Sequence, residues 1–266
     1  MNRFKKFTIS GLVIFMGVLT MQLSPDKTVI KDYQDINTVK KQLLKLAPVE
    51  ISYDENLLSS SQKVVLSKLV EAAKYMDEIF LRQVYSKNPQ IRSELQSGKN
   101  PDYKTLLDYF TVNFGPFDRL NGNAPFINLT EEKPAGANYY PQDLSKEEFE
   151  NWIKTHPEDE EAFTSNFTII RRRGNQLVAI SYSEAYRESL EPAAKLLKEA
   201  AQSAENPSLK KYLNSRADAF LSNDYFQSDM DWMDLKDHTI EVVIGPYEVM
   251  KMNSSAIKLL SKPLLL

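Results

Sequence analysis

The clearest strand pattern of this sequence is His238-Thr-Ile-Glu-Val-Val-Ile-Gly-Pro-Tyr-Glu248. Its apolar residues recur at every second position, as they do in a half-buried strand: Ile240, Val242 and Ile244. Gly245-Pro246 predicts the end of this strand, because proline has no amide to donate to a neighbouring strand. We therefore expect a strand over about residues 239–245 that lies at the edge of a sheet.

Glu241 places a carboxylate inside this apolar alternation. One interpretation is a solvent-facing glutamate on the exposed side of a sheet. The other is an acidic group beside a groove, where the sheet edge pairs with an extended peptide and Glu241 holds the peptide's amino terminus. The pattern alone leaves both interpretations open.

The composition indicates one compact globular domain, since 42% of the 266 residues are hydrophobic and 26% are charged. The net charge of -3 provides no basic surface for nucleic acid, so we expect no nucleic-acid partner. The triplet Arg171-Arg172-Arg173 precedes the turn signal Gly174-Asn175 and predicts an exposed hairpin tip. The sequence has no cysteine, which excludes disulfides, thiolate zinc sites and lipid attachment at cysteine.

The amino terminus has the layout of a secretory signal. Basic residues in Asn2-Arg-Phe-Lys-Lys6 precede an apolar run from Phe7 to Leu19. No clean small-x-small cleavage site follows, so residues 1–24 are predicted to be either a signal peptide or an amino-terminal anchor. We expect an exported protein, periplasmic or anchored to an inner membrane, that contacts a membrane only through this segment.

Helical spacing of apolar residues dominates the rest of the chain. It predicts helices over Asp35–Leu46, Ser59–Tyr85, Ser145–Thr155, Ser183–Ala201 and Pro207–Leu221, and shorter ones from Asn88, Pro101 and Asp224. The longest has a buried stripe of Val65, Leu69, Ala72, Met76, Ile79 and Gln83. The predicted fold class is α+β: a mostly helical lobe with a small antiparallel sheet, made of a hairpin at about 166–181 and the strand at about 239–245.

Residues 113–141 break every period with glycine, proline and asparagine. An irregular run of this length is often functional. It is equally well explained as a packed connector with aromatic anchors: Phe114, Phe117, Phe126, Tyr139 and Tyr140.

Catalytic motifs are missing from the sequence. The two histidines, His156 and His238, lack the i, i+4 spacing of a helical zinc site, so we predict no metal ligands in this chain. Neither a G-x-S-x-G elbow nor a phosphate-binding G-x-x-x-x-G-K-[ST] loop occurs. We therefore predict no catalytic residues.

Four segments, in a fixed order, resemble the amino-terminal half of bacterial proteins similar to dipeptidyl peptidase III. They are Val64-Val-Leu-Ser-Lys-Leu-Val-Glu-Ala-Ala-Lys-Tyr-Met-Asp-Glu-Ile-Phe80, Gly115-Pro-Phe-Asp-Arg-Leu-Asn-Gly-Asn123, Lys133-Pro-Ala-Gly-Ala-Asn-Tyr-Tyr-Pro-Gln-Asp143 and Ile240-Glu-Val-Val-Ile-Gly-Pro-Tyr-Glu248. The likeness covers about residues 35–248 and assigns 25–248 to one helical lobe.

This resemblance implies a two-lobed zinc aminopeptidase that releases dipeptides from oligopeptides bound as an added strand. By its place in the E-x-x-I-G pattern, Glu241 is implied to hold the substrate's free amino terminus, with Ile244 and Gly245 as further substrate-binding positions. Val243 stands where better-known members have a tyrosine, which departs from the family's pattern. The family's zinc is held by two histidines of an H-E-x-x-G-H helix and a later glutamate, and this motif does not occur here. We therefore expect no cofactor in this chain.

Residues 249–266 form a divergent apolar tail without an acidic residue, and the resemblance fails there. We expect a truncated homologue that lacks the zinc-binding half and does not cleave peptides on its own. The alternative from a different class is an exported, noncatalytic protein that binds oligopeptides with a free amino terminus. A third interpretation is a purely structural remnant with an exposed apolar face.

Overall fold

The computed structural model describes residues 28–50, 52, 54–251 and 257–265. The expected signal or anchor at residues 1–24 lies outside the described residues. The helices are α1 (Ile36–Leu43), α2 (Ser60–Val84), α3 (Asn88–Ser97), α4 (Tyr103–Asn113), α5 (Lys146–Thr155), α6 (Glu160–Thr164), α7 (Tyr182–Ala185), α8 (Arg187–Ser203), α9 (Pro207–Ser222) and α10 (Phe226–Met233). The strands are β1 (Phe117–Asp118), β2 (Ala124–Pro125), β3 (Thr168–Arg173), β4 (Gln176–Ser181), β5 (Val242–Lys251) and β6 (Ile257–Leu265).

Helix α2 is the central element of the helical layer. It begins with a capping box, in which the Ser59 hydroxyl accepts from the Gln62 amide and the Gln62 side chain accepts from the Ser59 amide. All six residues of its predicted stripe are buried, which confirms the periodicity argument. Helix α2 packs against α8, and α8 packs against α9.

The predicted helices are present, with ends that differ by up to three residues, as at α1, which ends at Leu43 instead of Leu46. One predicted helix is broken. The expected helix Ser183–Ala201 is divided into α7 and α8, because Tyr186 takes a non-helical conformation between them with φ -121° and ψ 20°. The cap predicted at Ser145 is confirmed, because the Ser145 hydroxyl accepts from the Glu148 amide at 3.1 Å at the start of α5. No helix in the described part of the chain is long and apolar enough to span a bilayer.

The irregular segment 114–141 is a packed connector. Four of its five predicted anchors are buried and the fifth packs partly buried against the core: Phe117, Phe126, Tyr139, Tyr140 and Phe114. Its start is fixed to the end of α2, because the Asn88 side-chain amide donates to the carbonyls of Leu81 and Phe114 at 2.8 and 2.9 Å. The packed-connector interpretation is therefore confirmed for these anchors.

The α+β class is confirmed, but the strands pair differently from the expectation. Hairpin β3–β4 and strand β5 lie in separate two-stranded antiparallel sheets, and β5 pairs with β6. The outer side of β3 is already occupied, because the Ile170 amide donates to the Tyr139 carbonyl of the connector at 2.7 Å. The predicted single sheet of hairpin and late strand was therefore wrong.

Strand β5 also continues through Gly245-Pro246, which we expected to end it. Gly245 lies opposite Lys262 and Pro246 opposite Ser261 in the antiparallel ladder. A bulge follows between Pro246 and Glu248, and such a bulge lets a strand absorb a residue that cannot donate to the ladder.

Candidate functional site

Strand β5 and the residues before it present Glu241 outside the core. The side chains at the apolar positions are buried, with exposed fractions of 6% for Ile240, 0% for Val242 and 1% for Ile244. Glu241 and Val243 between them are partly exposed. The predicted alternation is therefore confirmed, and it fixes which face of the strand the carboxylate occupies.

The Glu241 carboxylate has one contact among the described residues. Its Oε2 lies 3.2 Å from Nε2 of His238, with side-chain exposed fractions of 32% and 25%. In the tautomer that makes this hydrogen bond, Nε2–H of His238 donates to the carboxylate. Oε1 of Glu241 has no hydrogen-bond partner in the described chain, so it can accept from a cation that approaches from solvent.

Ile244 and Gly245, the other two predicted site residues, lie on the core side. Both are buried, so a peptide could reach only their backbone groups. Gly245 has φ +130°, and a Cβ at this position would lie 3.2 Å from Nη1 of Arg216 and 3.3 Å from Cε1 of Phe220. Glycine is therefore required here both by the backbone conformation and by the close approach of α9.

Arg216 is a buried cation beneath β5 that the sequence analysis missed. Its side chain is 6% exposed, it pairs with Asp229 of α10, and its guanidinium lies 5.4 Å from the ring centres of both Tyr212 and Tyr225. Burial raises the pKa of both phenols, with Arg216 acting in the opposite direction. A sequence signal existed, because position 216 falls at i+7 from the buried Leu209 on the same helix.

The two edges of β5 differ. Strand β6 pairs with one edge from Val242 to Lys251, and no strand pairs with the other edge within the residues that the structure describes. An added strand could therefore pair with this second edge beside Glu241.

The histidines do not come together as metal ligands. His156 stacks on Trp152 with ring centres 4.0 Å apart, and its Nδ1 lies 3.0 Å from the Thr155 hydroxyl. His238 lies beside Glu241 at the start of the late strand region. No group of three potential ligands from His, Cys, Asp and Glu occurs in the described ranges. These residues do not fit the zinc site that the family resemblance implies.

Comparison with known proteins finds relatives among solved peptidase structures and one plant protein. The structure of DPP III from Caldithrix abyssi is 57% identical with a TM-score of 0.82, over 85% of this chain and 43% of that chain. Dipeptidyl-peptidase III from Corallococcus sp. strain EGB is 37% identical with a TM-score of 0.81, over 88% of this chain and 44% of that chain. Nudix hydrolase 3 from Arabidopsis thaliana is 34% identical over 79% of this chain and 34% of that protein. No family model matches the chain.

The fold and the strand define a mostly helical α+β lobe that presents one acidic residue beside an unpaired sheet edge. The chain is dipeptidyl peptidase III-like, as its residues had indicated. It spans less than half the length of the two peptidase structures, at 43% and 44%. The name Nudix hydrolase 3 describes a protein of which this chain covers 34%, so we take no activity from it.

Proposed function

We propose that this chain is the peptide-binding lobe of a dipeptidyl peptidase III-like protein, with Glu241 as the residue that binds a free peptide amino terminus. The supporting observation is the state of the Glu241 carboxylate. It is partly exposed, it is steadied by His238 through Oε2, and its Oε1 is open to a donor. A peptide ammonium supplies three N–H donors, and hydrogen bonds between ionised groups are stronger than neutral ones.

The main chain of the peptide pairs, in this proposal, with the unpaired edge of β5. The edge lies next to Glu241, so an extended peptide can place its first residue at the carboxylate while its backbone pairs further along the strand. Val243 is partly exposed and offers an apolar contact where the family pattern has an aromatic one. Side-chain selectivity at this position is therefore expected to be weak.

The decisive experiment measures the affinity of the 266-residue chain for a fluorescent pentapeptide with a free amino terminus and for its acetylated form. Acetylation removes the charge that Glu241 binds, so we expect about a tenfold loss of affinity or more. Glu241→Gln should lose affinity for the free peptide by about the same factor and bind both peptides alike. The matched control is Glu188→Gln, an exposed glutamate on α8, which should leave both affinities unchanged.

Equal binding of the two peptides by the wild-type chain would contradict the role of Glu241. Binding that distinguishes the peptides but persists in Glu241→Gln would assign the ammonium to another carboxylate. Circular dichroism and the melting temperature of each variant separate a binding effect from unfolding.

Our proposal does not assign peptide hydrolysis to these 266 residues. The printed sequence contains no H-E-x-x-G-H motif, and the described histidines do not fit a zinc site, so we derive no step through zinc. We propose that these 266 residues bind peptides without releasing dipeptides. Mass spectrometry of an oligopeptide incubated with the pure chain and added zinc tests this, and dipeptide release by the chain alone would overturn it.

Export is a further part of the proposal, supported only by the basic and apolar residues of the first 19 positions. Fractionation of cells that express the carboxyl-terminally tagged chain, followed by amino-terminal sequencing, tests both export and cleavage. Recovery in the cytoplasmic fraction with an intact amino terminus would contradict export.

A further inference from the structure

Two segments of the connector enclose a cleft that is not part of the proposed peptide site. Its volume is about 580 Å³, and its walls come from residues 122–125 and 132–137. Most of the lining is apolar: Ala124, Pro125, Pro134, Ala135 and Ala137. Three polar side chains, Asn123, Glu132 and Lys133, lie among them. This size is in the range of small-molecule sites, about 300–1,000 Å³.

Lys133 is a partly buried cation without an anionic partner. Its ammonium donates to Oδ1 of Asn123 at 3.0 Å, and no carboxylate of the described chain lies within 4.0 Å of it. Glu132 also lines the cleft, but it is exposed and makes no ion pair with Lys133. Burial lowers the pKa of Lys133, and the nearby Arg119 guanidinium acts in the same direction.

The walls of the cleft are held by local backbone structure. Gly122 and Asn123 take left-handed conformations with φ of 60° and 63°, and the Asn123 amide donates to the Asp118 carbonyl at 2.8 Å. On the other wall, the Ala137 amide donates to the Pro134 carbonyl at 3.0 Å, and Ala137 is 3% exposed. The polar pair and its apolar surroundings are therefore preorganised.

We propose that this cleft binds a carboxylate carried on an apolar body, with Lys133 as the residue that binds the carboxylate. An ammonium has three N–H donors, and Asn123 uses one of them, so two remain for the carboxylate oxygens. The apolar lining then covers the rest of the ligand. A ligand carboxylate compensates the charge that the protein leaves unpaired, which makes binding favourable at a site where burial of the free cation is costly.

Isothermal titration calorimetry of the full chain with phenylacetate and with phenylacetamide tests this assignment. The two ligands match in shape and differ in charge, so phenylacetate should bind about tenfold more tightly or more. Lys133→Gln should abolish this preference, and Lys133→Arg should keep part of it. Lys104→Gln removes a lysine that is 85% exposed on α4 and should change neither affinity.

Two further ligands test which kind of anion the cleft accepts. N-acetyl-Ala-Phe, compared with its amide, tests whether the carboxyl end of a peptide is accepted as well as a free acid. Inorganic phosphate lacks the apolar body, and binding as tight as that of phenylacetate would overturn the proposal, as would equal affinity for phenylacetate and phenylacetamide.

The site is independent of the peptide amino terminus site. Glu241→Gln should leave phenylacetate affinity unchanged, so the two proposals can fail separately. Because Lys133 has no anionic partner, we expect Lys133→Gln to keep or raise the melting temperature. A melting temperature that falls together with the ligand affinity would indicate a structural role for Lys133 and overturn its assignment as a binding residue.

Discussion

The layer of helices α2, α8 and α9 and the start of strand β5 both bury apolar side chains, Val242 and Ile244 in the strand, yet different contacts fix their conformations. The helical layer depends on residues that recur at helical spacing and have no polar partners, such as Leu69 and Met76, both 0% exposed. Strand β5 approaches α9 at Gly245, which lies close to Arg216, and Arg216 pairs with Asp229 of α10.

This difference separates two kinds of contribution to stability. In the helical layer, each apolar side chain contributes by area and fit, and the backbone is the ordinary one for its element. At β5, the lack of a side chain at Gly245 permits the close approach of Arg216 and Phe220 of α9. Substitutions should therefore have graded effects in the layer and position-specific effects at the strand.

The largest effect is expected in the helical layer, from Leu69→Ala. Leu69 is fully buried in α2, and its truncation should lower the free energy of unfolding by about 2–5 kcal/mol because it leaves a cavity. Val70→Ala on the same helix is the control, since Val70 is 41% exposed and its loss should cost no more than about 0.5 kcal/mol. Urea unfolding measures both, and similar losses for the two variants would contradict the assignment of this face to the core.

Gly245→Ala tests the strand side of the comparison. The added Cβ meets Arg216 and Phe220 in a backbone conformation with φ +130°, so we expect a loss of about 1–3 kcal/mol in unfolding free energy. Gly174→Ala is the control, because Gly174 has φ +62°, in the left-handed region, and no atom lies within 4 Å of its Cβ position. The loss at Gly174 should be smaller, and an equal loss would contradict the combined cost of the backbone conformation and the close approach of α9 at Gly245.

The parts of the fold that sequence analysis predicted are those governed by local periodicity. The stripe of α2, the cap at Ser145, the hairpin β3–β4 and the burial of Ile240, Val242 and Ile244 all follow from spacing along the chain. Each depends on residues within a few positions of one another. Propensity and pattern are sufficient for such features.

The failures concern partners that are distant in sequence. Gly245-Pro246 predicted a strand end, but β6 and a bulge keep the strand paired, and nothing near position 245 encodes that partner. The sheet assignment failed because the Tyr139 carbonyl occupies the outer side of β3. Of the candidate site, Glu241 was found as the carboxylate inside the apolar alternation. The burial of Arg216 could have been inferred from its helical spacing to Leu209, but its approach to β5 joins residues that are distant in sequence.

The smallest effect is expected at a second ion pair between α9 and α10, formed by Lys211 and Asp231 with Nζ and Oδ1 2.8 Å apart. Asp231 is 2% exposed. Burial acts to raise the pKa of Asp231, but hydrogen bonds from Lys211, Ser215 and Gln227 outweigh it and hold that pKa below its ordinary value. A carboxylate whose pKa is lower in the folded state stabilises the fold above its unfolded-state pKa, and this stability is lost as the pH falls through the folded-state pKa.

Asp231→Asn should therefore lower the free energy of unfolding at pH 7 by about 1 kcal/mol or less, since Lys211 is 63% exposed and the pair is partly screened by solvent. The difference between wild type and variant should remain constant down to about pH 5 and shrink below about pH 4, where the unfolded carboxyl titrates. Urea unfolding at a series of pH values measures it. If the difference in unfolding free energy between wild type and Asp231→Asn grew as the pH fell, the ion pair would not stabilise the fold. The contact between α9 and α10 would then have to be stabilised by apolar packing, as the helical layer is.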